Sequence, residues 1–449
     1  MSPFKPKVQA IKILSAFAVL LICSTVTAQP PRFVRASGTR FLGASGKTLV
    51  LHGINVANKN PKEGYMGDFG ASDLDSIHAW GMNCIRLTIF WDGLEPQPGK
   101  INKAYLNRIA KVVKLAGNRG IYVLLDMHQD LYSGKFKSGD GAPAWATLDE
   151  GKPNTTGKVW SEAYAKSAAV QTAFDNFWAN KPGPDGVGLQ DHYAKVWQAV
   201  ARRFADDPAV IGYDLMNEPS PGTAYATARK AGMLAVMRAE AKRRGGKTLG
   251  PEQSRKLMAT PEGQKQMMVW LNDPQVFRAM EDGMATVTQN FERTQLAAFY
   301  TKVARAIRQV DHHHIIFVEP EIMAGIGVPS ALPPLTDAQG RRDPEQAYAP
   351  HAYDITTDNG PPDQATKVRL KIVLSRHEKE SRRLNDPMLI GEWGAFYLNP
   401  VAAGTARFMI HEFDLLRCGD TYWSYSRRLA GSPLLPALAR PADGVHSSR

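Results

Sequence analysis

The chain of 449 residues is 43% hydrophobic and 22% charged and carries a formal net charge of +12. These values are ordinary for a folded protein with a large core, in one large domain or two smaller ones. With three cysteines, the chain does not depend on a disulfide framework. Its basic residues lack the aromatic interleaving and the fold motifs that would indicate nucleic-acid binding.

The amino-terminal segment is typical of a secretory signal peptide. Three lysines precede an apolar run at residues 13–21, and small residues follow up to Ala28. A transmembrane anchor is disfavoured because the run is shorter than the roughly 20 apolar residues that span a bilayer. We therefore expect cleavage after Ala28, which removes residues 1–28 and leaves a secreted or periplasmic protein of residues 29–449.

Two cysteines lie beyond this segment, Cys84 and Cys418, both in strand-like sequence. We interpret them as small buried side chains. A single disulfide between them is the alternative.

Short apolar or β-branched runs then alternate with longer helical patterns, which indicates a parallel sheet with crossover helices. Eight strands are predicted, at residues 48–55, 84–90, 121–128, 210–217, 314–320, 346–353, 387–393 and 419–425. Eight strands of this kind are what an α/β fold of the closed (β/α)8 TIM-barrel type requires.

One connection is much longer than a minimal barrel needs. Between the fourth and fifth predicted strands, residues 223–290 are predicted to form a helical insertion with eleven basic residues, six acidic residues and seven of the 15 methionines. Such a composition suits an adaptable surface over an apolar ligand or an anionic membrane. It equally suits a small helical subdomain that uses methionine as core filler and has a solvated charged face.

The carboxyl ends of barrel strands converge on one mouth, so the residues at those ends are candidates for a functional site. Every predicted strand ends in polar or aromatic residues. A single polar residue at a barrel rim has a structural explanation, whereas convergence of a whole set indicates a site. The set is Asn55, Lys59, Arg86, His128, Asp130, Asn217, Glu218, Glu319, Glu321, His351, Tyr353, Glu392, Trp393 and Trp423.

Glu218 and Glu392 end the fourth and seventh predicted strands and therefore face each other across the mouth. Two carboxyl groups about 5 to 5.5 Å apart can cleave a glycosidic bond by double displacement, one attacking the anomeric carbon and the other protonating the leaving oxygen. The two groups must hold different protonation states. Arg86 can keep one ionised, since a neighbouring cation lowers the pKa of a carboxyl group, and Asn217 can donate to the sugar 2-hydroxyl.

The histidine run at residues 312–314 is not predicted to bind a metal ion. Consecutive residues cannot all face one ion in regular structure, and the run precedes the fifth strand, at the opposite end from the mouth. The sequence contains no glycine-rich phosphate loop, serine nucleophile elbow or zinc-ligand spacing. We therefore expect neither a metal ion nor a cofactor.

Five ordered motifs resemble glycoside hydrolase family 5, the cellulase-like retaining barrels of clan A. They are IRLTIFW on the second strand, MNEP on the fourth, HAY on the sixth, GEW on the seventh and TYWSY on the eighth. The resemblance covers residues 49–425 apart from the insertion. It implies that Glu218 is the acid/base, that Glu392 is the nucleophile and that Tyr353 steadies the nucleophile.

Longer stretches, among them GMNCIRLTIFWDGLEPQPG, GIYVLLDMHQDLYS and FVEPEIMAG, resemble the endoglycoceramidase branch. Those enzymes hydrolyse the bond between a glycan and the ceramide of a glycosphingolipid. The resemblance implies a retaining β-glycosidase whose partner is a glycolipid, and the signal peptide predicts that this enzyme is secreted. The implied substrate-binding residues are Lys59, Arg86, His128, Asp130, Trp160, Asn217, Glu321, His351, Tyr353 and Trp423, the last as a platform under the sugar; the alignment at Trp160 is loose.

Two features depart from this branch. The chain runs 24 residues beyond Tyr425 with no evident β-sandwich domain, and the connection after MNEP is unusually long. Two alternatives stay open: a family 5 enzyme for another β-glucoside, such as a steryl glucoside or an oligosaccharide, and a non-catalytic glycan- or lipid-binding barrel. We expect a monomer, with peripheral contact to a lipid surface as a possibility.

Overall fold

The computed structural model describes residues 1–2, 33–246, 249–357 and 365–440. Almost all of the predicted signal peptide lies outside these residues, and its cleavage and the export of the protein stay predictions. Within the described residues, no helix combines the length and the apolar character that a membrane crossing requires.

A small antiparallel sheet precedes the barrel in the chain. It consists of β1 (Arg35–Ser37), β2 (Arg40–Leu42) and β3 (Thr48–Leu49). The main sheet follows with nine parallel strands: β4 (His52–Val56), β5 (Cys84–Ile89), β6 (Tyr122–Met127), β7 (Val210–Asp214), β8 (Ile315–Val318), β9 (Gln346–Tyr348), β10 (His351–Ala352), β11 (Leu389–Gly394) and β12 (Gly419–Trp423).

These nine strands are the eight predicted ones, because β9 and β10 are two parts of the predicted sixth strand. Pro350 separates them, since proline cannot donate to a strand ladder. β9 pairs with β8 and β10 pairs with β11. Tyr348 at the end of β9 also donates its backbone N–H to Pro387 at 3.0 Å, just before β11. The sheet therefore closes, and the prediction of a TIM barrel is confirmed.

The first predicted strand was too long, because its beginning belongs to the antiparallel sheet. That sheet packs against the amino-terminal end of the barrel, where Phe41 of β2 stacks on Phe317 of β8 with ring centroids 5.8 Å apart. Leu51 joins the same buried apolar cluster, together with Cys84. Both Cys84 and Cys418 are buried free thiols, as the first interpretation predicted.

Helices surround the barrel and connect its strands. They are α1 (Ala71–Ala79), α2 (Trp91–Leu94), α3 (Lys103–Gly117), α4 (Ala163–Lys166), α5 (Ala168–Trp178), α6 (Leu189–Phe204), α7 (Ala224–Arg243), α8 (Pro251–Ala259), α9 (Pro261–Trp270), α10 (Pro274–Phe291), α11 (Ala297–Arg308), α12 (Lys367–Leu384), α13 (Ala403–Leu416) and α14 (Leu435–Leu438). Helix α3 illustrates why these segments are helical. Its buried residues recur at helical spacing and therefore form one apolar face that packs against the core.

The predicted insertion is helical and consists of α7 to α10. Helices α7 and α10 pack closely because glycines face the contact: a Cβ at Gly232 would lie 2.7 Å from Met284, and one at Gly283 would lie 2.6 Å from the Cβ of Ala235. A short π-helical turn at residues 292–296 joins α10 to α11. This pairing makes α7 and α10 one closely packed layer.

Candidate active site

A buried arginine organises the floor of the barrel mouth. Arg86 of β5 is 0% exposed, and its neighbours on three other strands and on the segment after β8 are carboxylates. Burial alone would lower the pKa of Arg86, but the surrounding carboxylates hold it well above its usual value. The contacts run from Nη1 to Glu392 Oε1 (2.8 Å), from Nη2 to Glu319 Oε1 (2.7 Å) and Asp126 Oδ1 (3.0 Å), and from Nε to Asp214 Oδ2 (2.9 Å).

Glu392 of β11 receives two hydrogen bonds. Arg86 donates to one carboxylate oxygen, and the Tyr353 hydroxyl donates to the other at 2.8 Å. Burial raises the pKa of Glu392 to about 7, while the positive charges of His351 and Arg86 oppose the rise. The two donors favour the ionised carboxylate and hold it in one orientation.

Glu218 follows β7 with a positive φ of 42°, a backbone conformation that non-glycine residues adopt mainly at turns and functional sites. Its backbone N–H donates to Glu319 Oε2 at 2.8 Å, and its carbonyl accepts from the Gln129 side chain at 3.0 Å. These contacts direct the Glu218 side chain to His351, whose Nδ1 lies 2.8 Å from Glu218 Oε1.

The two glutamates and the histidine form a compact group. One carboxylate oxygen of Glu218, one of Glu392 and a ring nitrogen of His351 all lie within 4.8 Å of one another. Burial alone would lower the pKa of His351, but the charges of Glu319 and Glu392 and hydrogen bonds to Glu218 and Glu319 raise it well above its usual value. The positive charge of the protonated imidazole therefore offsets the repulsion between the two carboxylates.

A second group of charged and aromatic side chains stands beside Glu392. Lys59 forms an ion pair with Asp130, and its Nζ lies 3.4 Å from Asp140 and 5.0 Å above the centre of the Trp423 ring. Trp423 in turn stacks on His128, with ring centroids 5.4 Å apart and planes 12° from parallel. The half-buried Trp423 ring therefore stands among polar groups, an arrangement that suits a sugar ring.

A cleft of about 1640 Å³ opens above these residues. It brings together most of the predicted site, namely Lys59, His128, Asp130, Trp160, Asn217, Glu218, Tyr353, Glu392 and Trp423. Arg86 and His351 lie beneath this surface, 0% and 3% exposed, and act on the cleft through the two glutamates. The convergence of strand-end residues that the sequence predicts is therefore present.

Two residues of the predicted set lie elsewhere. Trp393 points away from the mouth because side chains alternate along a strand, so the residue after Glu392 packs outward against Phe413 and Tyr422. Glu321 is 1% exposed and is not among the residues that line the cleft, and neither of its carboxylate oxygens has a hydrogen-bond partner among the described residues. Sugar contact by Glu321 stays a prediction from the resemblance.

Four polar residues of the site were not predicted from the sequence: Asp126, Gln129, Asp140 and Asp214. Asp126 and Asp214 both contact Arg86 and stand in otherwise apolar strands, β6 and β7. A charged residue inside an otherwise apolar strand is a signal that could have identified them, because buried carboxylates are almost always paired. Asp140 and Gln129 lie in loops, where the sequence offers no comparable signal.

Among the residues that the structure describes, three groups of carboxylates and histidines are close enough to resemble metal sites, but in each of them the carboxylates already contact a side chain of the protein that carries or can carry a positive charge. Lys59 pairs with Asp130 and Asp140 in one, Arg86 pairs with Asp126, Asp214 and Glu319 in another, and the third is Glu218, His351 and Glu392. The run at residues 312–314 is not part of any of them; His314 bonds to Asp311 and to the backbone of Asp207.

Comparison with known proteins identifies the family to which this barrel belongs. A family model described as cellulase (glycosyl hydrolase family 5) matches residues 42–244 and 257–428. The chain belongs to glycosyl hydrolase family 5. The matched segments include both Glu218 and Glu392, and as a family 5 protein the chain is a glycoside hydrolase.

Individual family 5 relatives extend this result. Endoglycoceramidase I of Rhodococcus hoagii (strain 103S) is 27% identical over 430 residues, which cover 92% of this chain and 72% of the relative. A glucosylceramidase of Aspergillus fumigatus is 30% identical over 248 residues, 42% of this chain and 32% of the relative. The structure of endo-glycoceramidase II from Rhodococcus sp. is similar with a TM-score of 0.65 and 29% identity, covering 91% of this chain and 80% of that one. The same enzyme has been solved as a ganglioside GM3 complex, with 29% identity and a TM-score of 0.65 over 88% of this chain and 79% of that one.

Proposed function

We propose that the protein is a retaining β-glycosidase that hydrolyses the bond between the glycan and the ceramide of a glycosphingolipid. The observation that carries the mechanism is the approach of Glu218 and Glu392, whose nearest carboxylate oxygens lie within 4.8 Å. Retaining enzymes hold their two carboxyl groups about 5 to 5.5 Å apart, whereas inverting enzymes keep about 6.5 to 9.5 Å for a water molecule. The spacing favours retention.

Glu392 is the proposed nucleophile. Its carboxylate attacks the anomeric carbon while the bond from that carbon to the aglycone oxygen breaks, and a covalent glycosyl-enzyme forms. Arg86 and Tyr353 donate to the two oxygens of Glu392, and both contacts favour its charged form against the effect of burial. Arg86 also contacts other carboxylates, and these contacts keep its guanidinium in place while Glu392 reacts.

Glu218 is the proposed acid/base. A proton on Glu218 passes to the aglycone oxygen as that oxygen leaves. Glu218 then takes a proton from water, whose oxygen attacks the anomeric carbon and releases Glu392. The contact between His351 Nδ1 and Glu218 Oε1, at 2.8 Å, holds the Glu218 side chain in position.

The sugar between these acids is proposed to lie on Trp423. Asn217, whose side-chain oxygen accepts from Arg86 at 3.0 Å, is oriented to meet the 2-hydroxyl, a contact that strengthens in the transition state. His128, Lys59 and Asp130 border the same surface and offer donors and acceptors to the remaining hydroxyls.

The glycolipid part of the proposal is supported by the relatives and by the composition of the cleft. The two Rhodococcus endoglycoceramidases match 92% and 91% of the chain, whereas the matches to the endoglycoceramidases of Cyanea nozakii and Hydra vulgaris and to the glucosylceramidase of Aspergillus fumigatus cover 40%, 47% and 42% of it. The cleft also combines polar side chains with many apolar ones, which suits an amphiphilic substrate. Secretion, peripheral contact with a lipid surface and a monomeric state remain part of this proposal as predictions.

Hydrolysis of three substrates tests the proposal. A ganglioside, a glucosylceramide and a cello-oligosaccharide are compared at equal concentration, with the released glycan measured by chromatography. We expect the ganglioside to be cleaved to an intact oligosaccharide and ceramide, with retention of the β-configuration at the released sugar. Preferred cleavage of glucosylceramide would indicate a glucosylceramidase, and preferred cleavage of the oligosaccharide would contradict the glycolipid assignment.

A further inference from the structure

The backbone at Glu218 lies beyond the regular part of the sheet. Just after β7 the Leu215 N–H still donates to the Phe317 carbonyl of β8 at 3.2 Å, and the chain then turns out of the strand. Glu218 has a φ of 42°, a left-handed conformation that is unfavourable for a residue with a Cβ atom. Because buried backbone N–H and C=O groups need partners, groups other than a neighbouring strand must bind the backbone here.

Two buried side chains supply these partners. Glu319, 1% exposed, accepts from the Glu218 N–H through Oε2 at 2.8 Å. Gln129, 5% exposed, donates from Nε2 to the carbonyl of Asn217 at 2.8 Å and to that of Glu218 at 3.0 Å. Glu319 follows β8 and Gln129 follows β6, and these strands are the two neighbours of β7. The backbone of Glu218 is therefore held from both sides.

Gln129 is itself held in one position. Its Oε1 accepts from the Tyr132 N–H at 2.8 Å, and its backbone carbonyl accepts from the Asn217 side chain at 3.0 Å. Gly141, with a φ of 114°, approaches so closely that a Cβ atom there would lie 2.5 Å from the Cβ of Gln129. A side chain fixed in this way supports its target without first having to be ordered.

Glu319 uses its two carboxylate oxygens for different partners. Oε2 accepts from Glu218, whereas Oε1 lies 2.7 Å from Arg86 Nη2 and 3.3 Å from His351 Nε2. A neutral amide at this position has one acceptor oxygen and cannot serve both Glu218 and Arg86. Neither Glu319 nor Gln129 is among the described residues that line the cleft, so both act through the residues they contact.

We infer that Gln129 and Glu319 are positioning residues that direct the Glu218 carboxyl group to the departing oxygen by holding the Glu218 backbone from both sides. The inference rests on the proposed function, because Glu218 is the acid in that proposal. Proton transfer requires the carboxyl group within hydrogen-bond reach of the aglycone oxygen, and a displacement of about 1 Å can cost about 100-fold in rate. Release of the backbone from its left-handed conformation would displace the carboxyl group although Glu218 itself is intact.

The dependence of hydrolysis on the leaving group tests the inference. Two aryl β-lactosides are compared: dinitrophenol leaves without protonation, whereas an alkylphenol needs the proton of Glu218. The measured quantity is the ratio of kcat/KM for the alkylphenyl lactoside to kcat/KM for the dinitrophenyl lactoside. Gln129→Met keeps the size of the side chain but removes its amide, and we expect this ratio to fall about ten-fold or more. An unchanged ratio would overturn the inference.

Gln346→Met is the matched control. Gln346 is 1% exposed, accepts from the Leu335 N–H at 2.9 Å and donates to the Asp343 carbonyl at 2.7 Å, so it bonds to the backbone as Gln129 does. It begins β9, at the end of the barrel opposite to the mouth. We expect the ratio to stay unchanged in this variant. A fall equal to that of Gln129→Met would show a general effect of a lost buried amide and contradict a positioning role.

A double-mutant cycle shows whether Gln129 acts through Glu218. In the background of Glu218→Gln the proton donor is already absent, so we expect Gln129→Met to cause no further fall in the ratio. A second fall of about ten-fold would mean that the two residues act independently, against the inference. Glu319→Gln is expected to lower the ratio in the same direction, since its loss of contact with Arg86 affects both substrates. An unchanged ratio in Glu319→Gln would overturn the role of Glu319.

Glu218→Gln alone separates this inference from the proposed function. If Glu218→Gln leaves the ratio unchanged, Glu218 is not the acid, and the proposed mechanism fails together with the inference. If Glu218→Gln lowers the ratio and Gln129→Met does not, the proposed mechanism stands and the inference alone fails. Gln129→Asn keeps the amide on a shorter side chain and repeats the comparison if Gln129→Met does not fold.

Discussion

Arg86 Nη1 donates to Glu392 Oε1 at 2.8 Å, and through this contact the charge of the proposed nucleophile depends on a cation that has no access to solvent. The same guanidinium satisfies Glu319 and Asp214. Burial raises the pKa of each of these acids, and Arg86 opposes the rise in all of them. Arg86 is thus both a structural centre of the barrel mouth and the group that keeps Glu392 reactive.

Removing this cation is expected to harm both stability and activity. Arg86→Gln leaves several buried carboxylates without their counter-charge, and breaking a buried pair in this way costs about 3–5 kcal/mol of unfolding free energy. Urea denaturation measures this loss, and kcat/KM on an aryl glycoside is expected to fall about 100-fold or more. Arg119→Gln is the control, because its ion pair with Asp75 is exposed and such pairs contribute about 1 kcal/mol or less. Similar losses in the two variants would contradict this role of Arg86.

The two glutamates are expected to differ in their dependence on the leaving group. Glu392→Gln removes the attacking oxygen and is expected to abolish hydrolysis of every substrate. Glu218→Gln removes the proton donor and is expected to slow glycosides of basic alcohols by about 10²–10⁴, but to spare the first step for an activated nitrophenol. Steady-state and burst kinetics on both substrate types measure this. If Glu218→Gln slowed glycosylation by both substrates equally, the assignment of the acid would be wrong.

The acidic limb of the pH profile is expected near pH 7. Glu392 must be ionised to attack, and burial raises its pKa to about 7, so kcat/KM should fall about ten-fold for each pH unit below that value. Glu319→Gln removes a negative charge that raises the pKa of Glu392, and the limb is expected to move to lower pH. A limb that stays in place or moves upward in Glu319→Gln would contradict the assignment. The profile is measured with an aryl glycoside whose own ionisation lies outside the range.

Stability is expected to fall as the pH rises from 5 to 8. Burial raises the pKa of Asp126 and Glu319 to about 7 and that of Asp214 to about 6, so over this range the folded protein binds more protons than the unfolded chain. The lowered pKa values of His128 and His377 act in the opposite direction, but fewer groups contribute to that effect. Calorimetric melting at constant ionic strength measures the trend, and a Tm that rises from pH 5 to pH 8 would contradict it.

Strand periodicity and strand-end residues predicted most of the fold because both are local in sequence. In the sequence, the apolar runs that form β5 and β6 are each followed by a helical pattern. Such an alternation is visible in short stretches of sequence and is sufficient to indicate a parallel barrel. The errors arose where a distant contact overrode the pattern. Residues 48–49 pair with β2 instead of entering the barrel, and Pro350 splits the sixth strand.

The sequence by itself determined the barrel, the insertion and the identity of the acids at the strand ends, since these follow from spacing along the chain. Only the tertiary structure decided which of those residues share a site. It placed carboxylate oxygens of Glu218 and Glu392 within 4.8 Å of each other, turned Trp393 outward and buried Glu321. It also joined the insertion's methionines to the same cleft. Contacts between residues far apart in the chain depend on closure of the sheet and packing of helices, and no local pattern encodes these distances.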